Sequence, residues 1–105
     1  MDLFDLTGRT AIITGGNGGL GLAMGRGLAK AGANVAIWAR NEAKNAAALD
    51  ELRALGGGDF IALACDVADD AQIAAAMEQT LAAFGRTDIC FANAGISGAG
   101  TTIPD

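Results

Sequence analysis

The most informative segment of the sequence is Thr14-Gly15-Gly16-Asn17-Gly18-Gly19-Leu20-Gly21. It follows a short continuous apolar run, Ala11 to Ile13, which is typical of a parallel strand covered on both faces. Glycines in a loop let the backbone take positive φ and bring its N–H groups close to an anion. A strand, a glycine loop and a following helix therefore predict a site for the diphosphate of a dinucleotide.

The residues after this loop have the spacing of one helical face. This apolar stripe predicts that the loop opens a helix, and its members are Leu20, Ala23, Met24, Gly27, Leu28 and Ala31. The glycines match either Gly16-x-Gly18-x-x-Gly21 or Thr14-Gly15-x-x-x-Gly19-x-Gly21, and both patterns bind a nucleotide. A flexible turn is the alternative in a chain with 16 glycines. A kinase-type phosphate loop is excluded because no Gly-Lys-Ser/Thr follows.

Composition argues for one acidic domain. The chain has 105 residues, 51% hydrophobic content and a net charge of −5, and its basic residues are scattered, which argues against a nucleic-acid partner. Acids occupy the first residues, where a signal peptide would carry positive charge, and no apolar run approaches the roughly 18 residues of a membrane span. We therefore expect a cytoplasmic protein with no membrane partner. Without histidine, Cys65 and Cys90 are expected to be buried structural thiols, and no metal site is predicted.

Apolar runs alternate with helical patterns along the whole chain. The four runs are Thr10–Thr14, Asn34–Ala39, Phe60–Cys65 and Asp88–Ala92. Between them, Asn41 is expected to cap a helix that Gly56-Gly57-Gly58 ends, and Asp69 or Asp70 to cap a helix that Gly85 ends. This order predicts an α/β fold: a Rossmann-like doubly wound parallel sheet, β-α-β-α-β-α-β, with the ligand at the carboxyl ends of the strands.

The second apolar run ends at Trp38-Ala39-Arg40-Asn41. An NAD site would usually place an acid here to bind the ribose hydroxyls of adenosine. A guanidinium can instead hold the 2′-phosphate of NADP with two hydrogen bonds, and an acid would repel that phosphate. Arg40 therefore favours NADP over NAD. The alternative is an ordinary solvated charge at a helix start, although a cation there opposes the helix dipole.

Two further segments follow predicted strands. Asp66 could accept a hydrogen bond from the exocyclic amine of adenine while Val67 packs on the ring, although Asp66 also suits a plain turn. Asn93-Ala94-Gly95 follows the fourth run, and its small residues let the backbone approach a ribose. We interpret Asn93 as mainly structural.

With Thr14-Gly15-x-x-x-Gly19-x-Gly21, Asp66-Val67 and Asn93-Ala94-Gly95 in this order, the chain resembles the classical short-chain dehydrogenases/reductases over its whole length. The resemblance implies that residues 1–105 are the N-terminal dinucleotide-binding part of a single Rossmann-fold domain. The parent would be a homo-oligomeric oxidoreductase that moves a hydride between NADP, or NAD, and a small carbonyl or alcohol substrate. With Arg40 added from the argument above, the implied cofactor-binding residues are Gly15, Asn17, Gly18, Gly19, Leu20, Gly21, Arg40, Asp66, Val67, Asn93, Ala94 and Gly95.

Two departures from the family pattern limit what the chain can do. Gly18 stands where several NADP-using relatives carry a basic residue, so a second contact to the 2′-phosphate is missing. The family's catalytic Ser, Tyr and Lys would lie beyond position 105, and the chain contains no tyrosine. We therefore assign no catalytic residue and expect the chain alone to be inactive.

Two other functions remain open at this point. One is a non-catalytic nucleotide-binding or interaction module, complete at 105 residues, whose exposed sheet edge recruits a second polypeptide. The other is a sugar-nucleotide epimerase of the extended branch of the same superfamily. Its usual glycine spacing, Gly-x-x-Gly-x-x-Gly, disfavours it.

Overall fold

The computed structural model describes residues 5–15, 19–56 and 58–92. In this part of the chain, strands and helices alternate without exception. The elements are β1 (Thr10–Thr14), α1 (Gly19–Lys30), β2 (Asn34–Ala39), α2 (Glu42–Leu55), β3 (Phe60–Ala64), α3 (Asp70–Phe84) and β4 (Ile89–Ala92). The predicted order is therefore confirmed. Two strand ends differ by one residue, since β3 ends before Cys65 and β4 begins after Asp88.

The strands form one parallel sheet in the order β3-β2-β1-β4. β1 lies between β2 and β4, and all of its residues are buried. The chain runs outward from β1 through β2 to β3 and then returns to the other side of β1 to form β4. This reversal makes the Rossmann-like α/β fold, with a switch point between β1 and β4.

Helices cover both faces of the sheet. Residues of α1 and α2 pack over a core that contains Ile13 and Ile37. Residues of α3 pack over a second core that contains Ile12, Ala36 and Trp38. Successive residues of a strand point to opposite faces, so neighbouring positions in β1 and β2 supply different cores. The continuous apolar runs of the sequence follow from this double burial.

The face of α1 that packs against the sheet coincides only in part with the apolar stripe in its sequence. The buried positions are spaced four apart and are Gly21, Gly25 and Ala29. Leu20 is instead 66% exposed, and Ala23 and Gly27 are also exposed. Met24 and Leu28 do pack against the core, but only partly buried. The helix thus turns its smallest residues toward the sheet.

Close approach of α1 to the sheet explains this rotation. A Cβ atom placed on Gly25 would already lie 3.5 Å from side-chain atoms of both Ile13 and Leu52. The larger side chains of the predicted stripe do not fit at such a distance. Glycine adds little to a hydrophobic pattern. The spacing of the larger apolar residues therefore indicated a neighbouring face of α1 instead of the buried one.

The helix ends follow the predicted signals. The Asn41 Oδ1 atom accepts a hydrogen bond from the Lys44 amide at 3.0 Å and caps α2. Asp69, rather than Asp70, caps α3, because its side chain accepts from the amides at the start of that helix. Gly85 ends α3 in the left-handed region, with φ of 80°. Gly56 follows α2 as predicted, whereas Gly57 lies outside the described residues.

The two cysteines differ in burial. Cys65 is buried as predicted, but Cys90 is exposed. Cys90 pairs in register with Ile12 of β1 and so lies on the face that α3 covers. The core beneath α3 contains residues of β1 and β2, with residues of β3 packed against it, and Cys90 is not among its described members. Neither cysteine forms a disulfide.

Among the described residues, we find no helix that has both the length and the apolar character needed to cross a membrane.

Candidate functional site

A cleft of about 550 Å³ lies where β1, β2 and β3 end. Residues that directly follow each strand line it: Gly15 after β1, Arg40 after β2, and Asp66 and Val67 just beyond β3. Ligands of open parallel α/β sheets bind in the crevice at this end of the strands. The other described lining residues are Trp38, Ala39, Asn41, Lys44, Cys65 and Ala68. Four predicted cofactor-binding residues from distant parts of the sequence thus meet in one place.

The glycine loop begins at this cleft. Gly15 has φ of 69° and Gly19 has φ of 56°, so both adopt the left-handed conformation that favours glycine. The Gly15 amide donates a hydrogen bond to the Trp38 carbonyl oxygen at 2.8 Å. This bond continues the pairing of β1 with β2 beyond the end of β1 and holds the start of the loop beside the cleft.

The remaining predicted residues fall into two groups. Gly19, Leu20 and Gly21 form the first turn of α1 and are not among the described residues that line the cleft. The others lie outside the described residues and are Asn17, Gly18, Asn93, Ala94 and Gly95. Their predicted contacts with the cofactor stay predictions.

Arg40 occupies a short, well-fixed connection between β2 and α2. The side-chain amide of Asn45 donates a hydrogen bond to the carbonyl oxygen of Ala39 at 2.9 Å, and this contact is buried. On the other side, Asn41 caps α2. The backbone at Arg40 is thus held from both directions, while the residue itself is exposed to solvent at the cleft.

Lys44 is a residue of this cleft that the sequence analysis missed. It lies in the first turn of α2, four positions after Arg40, and lines the same cleft. The described lining therefore carries two cations, Arg40 and Lys44, and one carboxylate, Asp66. This local balance is opposite to the net charge of −5 of the whole chain. The spacing of Arg40 and Lys44 was the signal available in the sequence.

Asp66 acts as a turn residue and still keeps one oxygen available. Its Oδ1 atom accepts a hydrogen bond from the Ala68 amide at 2.9 Å, and its own amide donates to the Gln72 side chain at 2.8 Å. These bonds fix the carboxylate at the cleft. Among the described residues, no hydrogen-bond donor contacts the Oδ2 atom. The turn role and the predicted adenine contact are therefore compatible.

The thiol of Cys65 also lines the cleft, and its surroundings make it unreactive. Burial raises the pKa of the Cys65 thiol, and the negative charges of Asp66 and Asp69 raise it further. The thiol thus stays protonated near neutral pH, and the thiolate is the nucleophilic form. No group of three or more metal-ligating side chains occurs among the described residues.

Comparison with known proteins decides the family. The sequence profile of the short chain dehydrogenase family matches residues 9–104. The chain belongs to the short-chain dehydrogenase family. The chain is 40% identical over 101 residues to a 2,5-dichloro-2,5-cyclohexadiene-1,4-diol dehydrogenase from Sphingobium indicum, covering 96% of the chain and 39% of that protein.

Solved structures of the family superimpose on the same part. A short-chain type dehydrogenase/reductase from Mycobacterium ulcerans matches with a TM-score of 0.85 and 36% identity over 90% of this chain and 35% of that one. A xylitol dehydrogenase with NAD+ bound matches with a TM-score of 0.84 and 28% identity over 93% of this chain and 36% of that one. The chain thus spans little more than a third of the length of these relatives. The family consists of oxidoreductases that depend on NAD(P).

Proposed function

We propose that this chain is the dinucleotide-binding part of an NADP-preferring oxidoreductase that acts on a small carbonyl or alcohol substrate. The observation that carries the proposal is the cleft itself, in which Gly15, Arg40 and Asp66 come together at the carboxyl ends of three parallel strands. Each of the three offers the chemistry that one portion of NADP requires.

The cleft residues suit the adenosine half of the cofactor. Gly15, at positive φ, begins the loop proposed to hold the diphosphate. The Oδ2 atom of Asp66, which no donor of the described residues contacts, would accept a hydrogen bond from the adenine amine. Val67, which is partly buried against the Trp38 core, would pack on the ring. Asn93, Ala94 and Gly95 are proposed to border the ribose. The nicotinamide supplies or accepts the hydride when the cofactor is bound.

The preference for NADP rests on charge at the end of β2. No acid stands there to bind the two ribose hydroxyls of NAD, since the strand is followed by Arg40 and Asn41. Glu42 is close in sequence, but it lines a different and smaller cavity beside α2. A guanidinium forms two strong hydrogen bonds with a phosphate. Arg40 is therefore proposed to hold the 2′-phosphate.

We propose that residues outside this chain donate or accept the proton that accompanies hydride transfer. The 105 residues contain neither tyrosine nor histidine. The Cys65 thiol, whose pKa is raised by burial, does not serve as a base. The chain's own contribution is then to bind the cofactor and to select it.

Nucleotide titrations of the chain test this proposal. Trp38 is the only tryptophan and lines the cleft, so its fluorescence reports binding there. We expect NADPH to bind about tenfold more tightly than NADH, which corresponds to roughly 1.4 kcal/mol. Arg40→Asp should reverse this order, because it replaces the cation by the acid that NAD sites use.

Lys30→Asp is the matched control, because it changes the net charge equally at the far end of α1. This control variant should still bind NADPH more tightly than NADH. Tighter binding of NADH, or an Arg40→Asp variant with unaltered preference, would contradict the NADP assignment. Binding of neither nucleotide would favour an interaction module over a cofactor-binding part.

A further inference from the structure

The cations of this chain differ in whether a carboxylate neutralises them. Four of the seven form ion pairs and are Arg9, Arg26, Arg53 and Arg86. The other three, Lys30, Arg40 and Lys44, pair with no carboxylate among the described residues. Two of these three line the same cleft. The unneutralised positive charge of an acidic protein is thus concentrated at the proposed cofactor site.

The backbone of Lys44 is fixed relative to this cleft. Its amide donates to the Asn41 Oδ1 atom at 3.0 Å. The next residue, Asn45, bonds to the carbonyl oxygen of Ala39 at 2.9 Å and so fastens the first turn of α2 to the end of β2. Lys44 is itself exposed. A long flexible side chain on a rigid base can reach a ligand anion beside Arg40.

The charge of Lys44 is poorly stabilised by the protein itself. A cation in the first turn of a helix opposes the helix dipole, which favours anions at that end. Glu42 lies two positions away, and residues at that spacing do not face each other on a helix. Glu42 moreover lines the smaller cavity beside α2 rather than the cleft. An anion bound in the cleft would supply the missing countercharge.

We infer that Lys44 is a specificity-determining residue that binds the 2′-phosphate of NADP together with Arg40. This inference rests on the proposed function. A phosphate monoester carries between one and two negative charges near neutral pH, so it can accept contacts from two cations. Gly18 stands where several NADP-using relatives carry a basic residue for a second contact, and Lys44, on α2, supplies that contact instead.

The test uses two nucleotides that differ only in the 2′-phosphate. The chain is titrated with 2′,5′-ADP and with 5′-AMP, and Trp38 fluorescence reports binding. Lys44→Gln should weaken the binding of 2′,5′-ADP about tenfold, the effect of losing one charge-assisted contact at an exposed site. The binding of 5′-AMP should stay unchanged. Lys44→Arg should retain most of the affinity, because it keeps the charge.

Lys30→Gln is the matched control for net charge, since Lys30 is also unpaired among the described residues but lies in the last turn of α1. It should bind both nucleotides like the unsubstituted chain. If Lys44→Gln leaves the affinity for 2′,5′-ADP unchanged, or weakens both nucleotides equally, the role of Lys44 is overturned and the NADP preference still stands. If the unsubstituted chain binds both nucleotides equally, the NADP preference and the role of Lys44 fail together.

Discussion

The side-chain amide of Asn45 lies 2.9 Å from the carbonyl oxygen of Ala39 and donates a buried hydrogen bond to it. The bond joins the inner face of α2 to the last residue of β2. Arg40 follows directly on one side of this junction, and Lys44 precedes it on the other. This interior contact, together with the Asn41 cap of α2, therefore holds the backbone from which both cations extend.

Asn45→Ala should destabilise the fold modestly. The carbonyl oxygen of Ala39 keeps a second donor, the Cys65 amide at 3.2 Å, so it is not left without a partner. We expect a loss of about 1 kcal/mol in the free energy of unfolding, the net value of a typical hydrogen bond. Urea denaturation measures it. Gln79→Ala, on the exposed face of α3, should change this free energy by less than about 0.5 kcal/mol. Equal effects of the two substitutions would contradict the structural role of Asn45.

Gly56→Ala should destabilise the chain through a collision rather than through backbone conformation. Gly56 has φ of −131°, which any residue can adopt. A Cβ atom there would, however, overlap the carbonyl oxygen of Ala29 at the end of α1. We expect a loss of about 2 kcal/mol, as for overpacking in an interior. Thermal and urea unfolding measure the change.

Gly27→Ala is the counterpart of that substitution. Gly27 lies in α1, and a Cβ atom there meets nothing within 4 Å. Alanine should therefore stabilise the helix by about 0.5–1 kcal/mol. An opposite order of stability for the two variants would show that α1 and the α2–β3 connection are packed differently.

Asp88 should make the stability depend on pH in the acidic range. Hydrogen bonds from the Arg86 side chain and the Thr10 amide lower the pKa of its carboxyl below the usual 3.8. A carboxyl whose pKa is lower in the folded state stabilises the fold above its unfolded pKa, and this contribution disappears as the pH falls through the lower, folded value. The carboxylate also joins the starts of β1 and β4.

Asp88→Asn tests this contribution. At pH 7 the variant should have a lower urea midpoint than the unsubstituted chain. The gap between the two should be constant down to about pH 5 and should shrink below the ordinary pKa of 3.8. A gap that is the same at pH 7 and at pH 3 would mean that the charge of Asp88 does not act on stability.

The two thiols should react at different rates. Cys90 is exposed and Cys65 is buried, with burial raising the pKa of the Cys65 thiol. A disulfide reagent at neutral pH should label one thiol per chain quickly and the second only after denaturation. Cys90→Ser should remove the fast phase, whereas Cys65→Ser should keep it. Rapid labelling of the Cys90→Ser variant would show that Cys65 is accessible at the cleft.

Local signals made much of the fold predictable. Continuous apolar runs marked all four strands. In β1 and β2 these runs reflect burial on both faces, which needs apolar residues at nearly every position. The Asn41 cap and the Gly85 end were also recognised, because capping uses residues adjacent in sequence. Arg40 and Asp66 were expected at the same edge of the sheet because each follows a strand and the strands run parallel.

Features that depend on distance between elements were not predictable. The face of α1 was missed because Gly25 is selected by the closeness of Ile13, which no hydrophobic pattern records. The exposure of Cys90 depends on what covers β4 rather than on its apolar neighbours. Lys44 was overlooked because its place at the cleft depends on how the first turn of α2 is oriented about its axis, which the apolar runs do not record.

An amide-resolved NMR titration of the chain with NADPH would locate the binding site, which we place at the carboxyl ends of β1, β2 and β3. Shift changes should be largest at the cleft residues Gly15, Arg40 and Asp66. They should be small at Thr10 and Asp88, which lie at the opposite ends of the strands. Changes centred on Thr10 and Asp88, or no changes at millimolar NADPH, would show that NADP does not bind in this cleft.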